Sequence, residues 1–464
     1  MSEIYKNETV SETVVATAAS ASETLPTKDN VYQFTQNAYF GTGGFQNGDY
    51  LVAHAKEKSL AARKKNIYYK NYVKGIVDSL VVPVFAEDAA RSTDSDLFAA
   101  FLQNADRKGT PIEEVTEYAT TLSRLHGVSF AVMNNDTDAA DTKAEALESR
   151  SFPYLITKSA ADVGSFDLNS DGAFTSISFH EYNETSSNGV VVGVYRKWTS
   201  EYSVLVTFEN GAVVEMPTTK ENHEFGILPV VALYSKVSRD VMPQPPLYDI
   251  ARMNYGVFNK DSEQRNIERL CAFPTLAIQS RANEGTVEIG ADNLLIYGGD
   301  YDGSVSAPSW ISPASDILRV MNDMSGDLLQ KLIEAANVLG ASAVNKGNSS
   351  KSGVSYSYEF IGQNFAIKRT AKVAERFEQM VALMFTAITG EITNYVVRYP
   401  QNYRPTQDEF DRKVSTIERI LDLNLSPQIN ATFAAELVKM SANHYRVETD
   451  VEKLVSTIAD NSIL

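Results

Sequence analysis

A chain of 464 residues with 43% hydrophobic content is long enough for roughly two to four compact units, each with its own core. The formal net charge of -17, from 42 Lys and Arg against 59 Asp and Glu, excludes a broad basic face wrapping nucleic acid or an anionic membrane, so contact with nucleic acid has to be local or weak. A single cysteine, Cys271, excludes an internal disulfide framework and a multi-cysteine zinc site, and fits a chain made in a reducing cytoplasm.

The opening MSEIYKNETVSETVVATAASASE has neither the basic nor the apolar region of a signal peptide. No run of the chain approaches about 18 apolar residues, so no membrane partner is expected. Residues 1 to about 30 are rich in Ser, Thr, Ala and Glu and read as a mobile arm. The glycines of YFGTGGFQNG lack Rossmann spacing and a leading strand, and read as a surface turn. From about Ala53 to Val84 a helical pattern sets Leu60, Tyr68, Tyr72, Ile76 and Leu80 on one face. Its basic run ARKK, at 62–65, reads as a solvated helix face. A second helix pair is predicted over roughly 94–125.

From about 128 to 237 the pattern turns to strands: VSFAVMN, FTSISFHEY, GVVVGVYRKW, YSVLVTFENGAVVEM and ILPVVALYS, with the turns NSDG, SSNG and ENG among them. They predict one β-rich domain of about a hundred residues. Asp167, Asn169, Asp171 and Gly172 match positions one, three, five and six of a calcium loop, but position twelve is Ser178 and the flanks are strand-like. A turn between strands is expected there instead. Pro243, Pro245 and Pro246 mark the boundary of this region.

PPLYDIARMNYGVFNKDSEQRNIERLC predicts a helix over 246–271, with Leu247, Ile250, Ala251, Asn254, Val257, Phe258 and Asp261 at spacings of three and four. Pro274 closes it, and FPTLAIQS, TVEIG and NLLIYGG form a small strand-rich insert. Ser312 and Pro313 open a second long helix through Ile317, Met321, Met324, Leu328, Leu332, Ala335 and Leu339, with Gly340 at its C-terminal position. The third, EFIGQNFAIKRTAKVAERFEQMVALMFTAITG, carries Ala366, Val373, Phe377, Met380 or Val381, Met384 and Ile388 on one stripe and ends at Gly390. Between the second and third lies GASAVNKGNSSKSGV, a flexible, cationic stretch. Beyond Pro405 three shorter amphipathic helices are predicted, over roughly 406–423, 427–441 and 446–459.

Residues that carry chemistry do not assemble into a recognisable constellation. No lysine sits in a P-loop glycine frame. His54, His126, His180, His223 and His444 lack the paired spacing of a metal site, and Cys271, read as buried apolar filler, has no nearby histidine to activate it. The acids single out no general acid and base pair. No enzymatic activity, cofactor or metal is expected. An α+β enzyme with an unrecognised site in the β-rich region remains the alternative of a different class.

In order, ILPVVALYS, PPLYDIARMN with EQRNIERL, FPTLAIQS, a β insert, a second long helix and SGVSYSYEFIGQNFAIKRTAKVAERFEQM resemble the portal proteins of tailed bacteriophages. The resemblance covers roughly 225–390 and extends beyond it by architecture only. It implies an α+β fold with a helical then β-rich wing (31–245), a stem helix (246–271), a clip (272–312), a second stem helix (313–339), a tunnel loop (340–355), a wing long helix with its return (356–404) and a helical crown (405–464). The crown lacks the long C-terminal barrel of larger relatives. The implied assembly is a homo-oligomeric ring of roughly twelve copies at one capsid vertex, in virions assembled in the bacterial host cytoplasm. Double-stranded DNA passes through it, and its partners are the large terminase, head-completion, adaptor and tail proteins, and major capsid and scaffold proteins. The DNA-facing residues it implies are Asn345, Lys346, Gly347, Asn348, Ser349, Ser350, Lys351 and Ser352; two lysines without an acid, repeated around a ring, make a weak, sequence-independent belt for phosphates. A virion connector or scaffold ring that conducts no DNA is the nearest alternative.

Overall fold

The computed structural model describes residues 31–272 except 54–56, 58–59, 136–139, 141, 186–188, 210–211 and 224. It also describes the strands 275–280, 294–298 and 309–311, and residues 316–338, 353–400, 407–423 and 426–445. The chain mixes helices and sheets and forms two compact units: Met1–Ser350 with Gly362–Tyr399, and Lys351–Ile361 with Pro400–Leu464. The expectations for residues 1–30, His54, Pro274, TVEIG, Ser312, Pro313, Gly340 and the last predicted helix lie outside the described residues, as does the side chain of Cys271.

The first unit opens with α1 (Val31–Phe40), which buries Phe34, Ala38 and Tyr39. The glycine-rich stretch that follows is a turn that lies at the surface only in part. Gly41 and Gly43 take positive φ, and the short turn α2 (Gly44–Asn47) drives Phe45 into the core, 1% exposed. Glycine is required at 43, because an added Cβ would stand 2.4 Å from Asn37 Nδ2.

The helical pattern expected over 53–84 is broken in the middle. Within it stand α3 (Ala61–Lys65) and α4 (Tyr72–Val81), with residues 67–71 outside any helix. Asparagine flanks the break on both sides. The backbone of Asn66 closes α3 onto Arg63 O, and the side chain of Asn71 accepts from Lys74 N as the N-cap of α4. Asparagine favours such caps because its amide competes with the helical ladder. The run at 62–65 is solvated only in part: Arg63 is 4% exposed, paired with Glu57 at 2.9 Å and donating to Val52 O and to Ser262 Oγ.

After β1 (Ala90–Ser92) come α5 (Asp96–Gln103) and α6 (Ile112–His126), the predicted helix pair, capped by Ser95 and by Gly127 at φ 88. The β-rich region then divides into two sheets. β2 (Val128–Asn134) lies between β3 (Tyr154–Ser159) and β10 (Val230–Tyr234), with α7 (Lys143–Ser149) in the connection from β2 to β3. The other sheet is antiparallel, with β4 (Val163–Leu168), β5 (Phe174–Thr185), β6 (Val191–Trp198), β7 (Tyr202–Glu209) and β8 (Ala212–Glu215) in sequence order and β9 (Glu221–Asn222) against β7. The division follows from the burial of β2 on both faces: Val128, Phe130 and Val132 enter one cluster, and Ala131 and Met133 another. Alternation puts neighbouring side chains on opposite faces, so one strand serves two cores.

α8 (Tyr248–Ala272) and α9 (Asp316–Val338) flank a small sheet of β11 (Thr275–Ser280), β12 (Leu294–Gly298) and β13 (Ser309–Ile311), with β11 central, parallel to β12 and antiparallel to β13. α10 (Gly353–Thr389) then runs to Gly390, at φ 73. Its predicted stripe is only part of its buried face: Val373, Phe377 and Val381, with Phe385 from outside the stripe, pack with Phe98, Phe101, Met133 and Leu155, while Met384 and Ile388 are partly buried. Each buried aromatic contributes roughly 1.5–3 kcal/mol. β14 (Val396–Arg398) pairs with β1, and Arg91 of β1 grips Glu378 of α10. In the second unit, α11 (Gln407–Asp422) and α12 (Pro427–Tyr445) follow the first two predicted tail helices; Ser426 Oγ accepts from Ile429 N, which caps α12 ahead of its proline.

His126 closes α6 fully buried, with Tyr32 edge-on and Nε2 3.2 Å from Gln36 Oε1. Burial pushes its pKa down to about 3. In the unfolded chain it titrates near 6.5. The depressed folded value means that its contribution is full above about pH 6.5 and is lost as pH falls towards 3, at up to about 1.4 kcal/mol per pH unit. Urea unfolding at pH 7 and pH 5 should show wild type losing roughly 2 kcal/mol more than His126→Gln over that interval. Equal losses in the two proteins would remove His126 from the acid response.

Candidate functional site

The helix expected over 246–271 and the one expected over 313–339 form an antiparallel pair. Gly256 of α8 faces Leu328 of α9, where an added Cβ would come within 3.3 Å of Leu328 Cδ2, and further along α8 Gln264 Nε2 donates to Asn322 Oδ1 at 2.6 Å. Leu332 and Ala336 of α9 join Leu247, Ile250, Ala251 and Phe258 of α8 in one core with Phe34 and Phe45.

The first half of α8 is bolted to the N-terminal helices by amides. Asn254 is fully buried; its Oδ1 accepts from Tyr69 Oη and Tyr72 N, both at 3.0 Å, and its Nδ2 donates to Lys70 O at 2.9 Å. It thereby meets a first-turn N–H of α4 that the helix itself leaves open. One turn on, Asn259 Oδ1 accepts from Val52 N, and its Nδ2 donates to Tyr50 O. Lys70 pairs with Asp261 at 3.0 Å, and Arg265 donates to Tyr68 O while stacking on the Tyr68 ring. The Asp261 carboxylate holds the Lys70 ammonium above its usual range. The extended break at 67–71 is therefore what lies along α8 and takes up its charges.

The small sheet is entered from α8 and left towards α9. It buries Ala277 and leaves Trp310 68% exposed. Residues 339–352 lead from α9 to α10, so Asn345, Lys346, Gly347, Asn348, Ser349, Ser350, Lys351 and Ser352 lie outside the described residues; the ends they join, Val338 and Gly353, are in place.

Asn169, Asp171 and Gly172 lie in the strand-connecting turn between β4 and β5, and Asp167 lies near the end of β4. Asn169 Oδ1 accepts from Asp171 N and Ala173 N, and Asp167 accepts from Ser176 Oγ. Among the described residues no group of three or more His, Cys, Asp or Glu is placed to hold a metal ion, and no helix is long and apolar enough to cross a membrane.

No family model matches the chain, and no curated protein matches it. Among solved structures it is similar to a chain of the native gene transfer agent virion, with 10% identity, 84% of this chain and 89% of that chain covered, and a TM-score of 0.42. It is likewise similar to a chain from the neck of the empty gene transfer agent particle, with 10% identity, the same coverage of 84% and 89%, and a TM-score of 0.41.

Two features of the described residues had no place among the expected site residues. One is the amide anchorage through Asn254 and Asn259, whose only local signal is a polar residue on an apolar helical face. The other is the outward face of α10, legible in IKRTAKVAER as cations at helical spacing.

Proposed function

We propose that the protein is the subunit of a portal-type ring, set at one vertex of a phage-like capsid, through which double-stranded DNA enters and leaves. In this reading α8 and α9 are the stem, residues 272–312 the clip, 340–355 the tunnel loop, 31–245 and 356–404 the wing, and 405–464 the crown. The ring has about twelve copies, as the portal resemblance implies. The observation that carries the reading is the succession of elements: a long helix anchored in the body, a three-stranded sheet, a long helix returning antiparallel to the first, a connection, and a third long helix. The portal resemblance of residues 225–390 assigns this succession to a channel. The large terminase during packaging, and later the head-completion, adaptor and tail proteins, are the partners proposed for the clip, where Trp310 offers an exposed aromatic anchor. Major capsid and scaffold proteins surround the wing during assembly in the host cytoplasm. The chain performs no chemistry in this role; translocation is driven by another protein.

Negative-stain electron microscopy of the purified protein should show closed rings with a central hole wide enough for duplex DNA. Compact monomers or dimers at high concentration would overturn the proposal. Closed rings lacking such a hole would favour a connector that conducts no DNA.

A further inference from the structure

The exposed face of α10 is a basic stripe on an acidic protein. Phe365, Lys368, Arg369, Lys372, Arg376, Gln379 and Leu383 all face solvent. At 100° per residue they fall within one side of the helix, and at 1.5 Å per residue the stripe is about 27 Å long. It holds four cations and no acid, because Glu375 and Glu378 point into the core. Among the described residues none of these four cations is ion-paired. Its ends are apolar, with Phe365 68% and Leu383 70% exposed.

Positive charge also accumulates beneath the stripe. Arg124 of α6 reaches α10, donating to Thr370 Oγ1 at 2.5 Å and Ala366 O at 3.3 Å, while its Nε has no partner among the described residues. Burial, and then the neighbouring charge of Arg369, pull its pKa down to about 10.

The outward face of α9 is the complement of this stripe. Asp316, Val320, Asp323, Met324, Asp327, Lys331 and Glu334 are exposed at spacings that place them on one side, again about 27 Å long. It carries four acids against Lys331, with Arg319 exposed at its edge and Val320 54% and Met324 51% exposed between the acids. Asp316, Asp323 and Asp327 have no ion pair among the described residues. Two stripes of equal length, opposite sign and shared apolar content are both open to solvent in one molecule, so neither covers the other.

We propose that the basic face of α10 in one copy docks on the acidic face of α9 in a second copy. This deepens the ring reading above and rests on it. The contact joins two different surfaces, so it is heterologous and propagates around a closed ring. It also answers an obstacle to assembly: copies that each carry -17 repel one another unless opposite charges meet locally. Duplex DNA fits the stripe less well, since phosphates have no use for the flanking Phe365 and Leu383.

The test is a charge swap in the full chain, read by sedimentation velocity in 50 mM and 500 mM salt. Lys372→Glu with Arg376→Glu, and separately Asp323→Lys with Asp327→Lys, should each weaken self-association at least tenfold at low salt. The chain carrying all four changes should regain it. Circular dichroism melts check that each variant folds; these side chains are exposed, so folding should be retained. Normal assembly of the Lys372→Glu, Arg376→Glu protein, or failure of the fourfold variant to recover, overturns the inference and leaves the ring proposal standing. If that pair of changes abolishes duplex binding in fluorescence anisotropy while assembly is normal, the stripe serves DNA and the inference is also overturned. A wild-type chain that never self-associates removes both proposals.

Discussion

Replacing Glu378 with alanine is expected to destabilise the protein by about 3–5 kcal/mol, read as a lowered midpoint in urea unfolding. The Glu378 side chain is fully buried, and its carboxylate accepts from Arg91 Nε at 3.0 Å, from Arg91 Nη2 at 2.9 Å, and from the hydroxyls of Tyr395 and Tyr399. The fork of Arg91 matches a carboxylate with two parallel hydrogen bonds, and such pairs are among the strongest in proteins. Burial opposes the charge on Arg91, but the Glu378 hydrogen bonds and charge outweigh it and hold the guanidinium firmly protonated. Burial first, and then the Glu378 charge, raise both phenols far above their ordinary range. Without the carboxylate, Arg91 keeps Glu113 at 3.0 Å and two phenols lose their acceptor. The ladder of β1 and β14 then loses its side-chain ion pair to α10 and keeps the bond from Tyr399 N to Glu375 Oε1. Replacing Arg91 and Glu378 together by leucine should recover much of the loss, because an apolar pair carries no desolvation cost. A Glu378→Ala protein within 1 kcal/mol of wild type would show that the network contributes little.

Deleting residues 345–352 is expected to leave rings and capsids forming while DNA packaging or retention falls at least tenfold, measured as nuclease-protected genome copies per particle. The reason lies in the bounding helices. α9 holds its place through Leu332 and Ala336, and α10 through Val373, Phe377 and Phe385, none of which the deletion removes. What it removes is Lys346 and Lys351, the phosphate contacts proposed for the channel. Neutralising both lysines should give a smaller defect that worsens with salt, since such contacts act by releasing counterions. Full packaging by the deletion would end the role proposed for the loop without touching the ring.

Much of the helical framework was legible in the sequence because its signals are local. Pro245 and Pro246 stand before α8, Gly390 takes positive φ after α10, and the apolar stripes of α8, α9 and α10 repeat at three and four residues. Caps and periodicity act within one or two turns, so a window of ten or fifteen residues contains them. The strands of β2, β5, β6, β7, β8 and β10 were legible for the same reason. β3 and β4 were not singled out, and the splitting of the strands into two sheets could not be read, since pairing partners are a long-range choice.

The break between α3 and α4 shows the limit well. Periodicity over 53–84 shows no break, and it is the buried amide of Asn254, more than 180 residues along the chain, with Asp261 and Arg265, that rewards an extended segment at 67–71. Phe45 sits in a stretch whose glycines read as surface, yet those glycines are what let the chain turn sharply enough to bury the ring beside Tyr69 and Phe258. Arg63 reads as solvated until Ser262 and Glu57 close around it.

The sequence by itself determined the mixed helix and sheet class, the three long helices, the glycine after α10, the small strand-rich insert, and a chain too acidic for a broad basic face. Tertiary structure alone decided which helix Asn254 holds, which carboxylate meets Arg91, and which sides of α9 and α10 are left to solvent. The difference is physical: caps and stripes are short-range properties of the backbone, whereas burial of charge and amide depends on groups that the fold brings together from 180 to 290 residues apart.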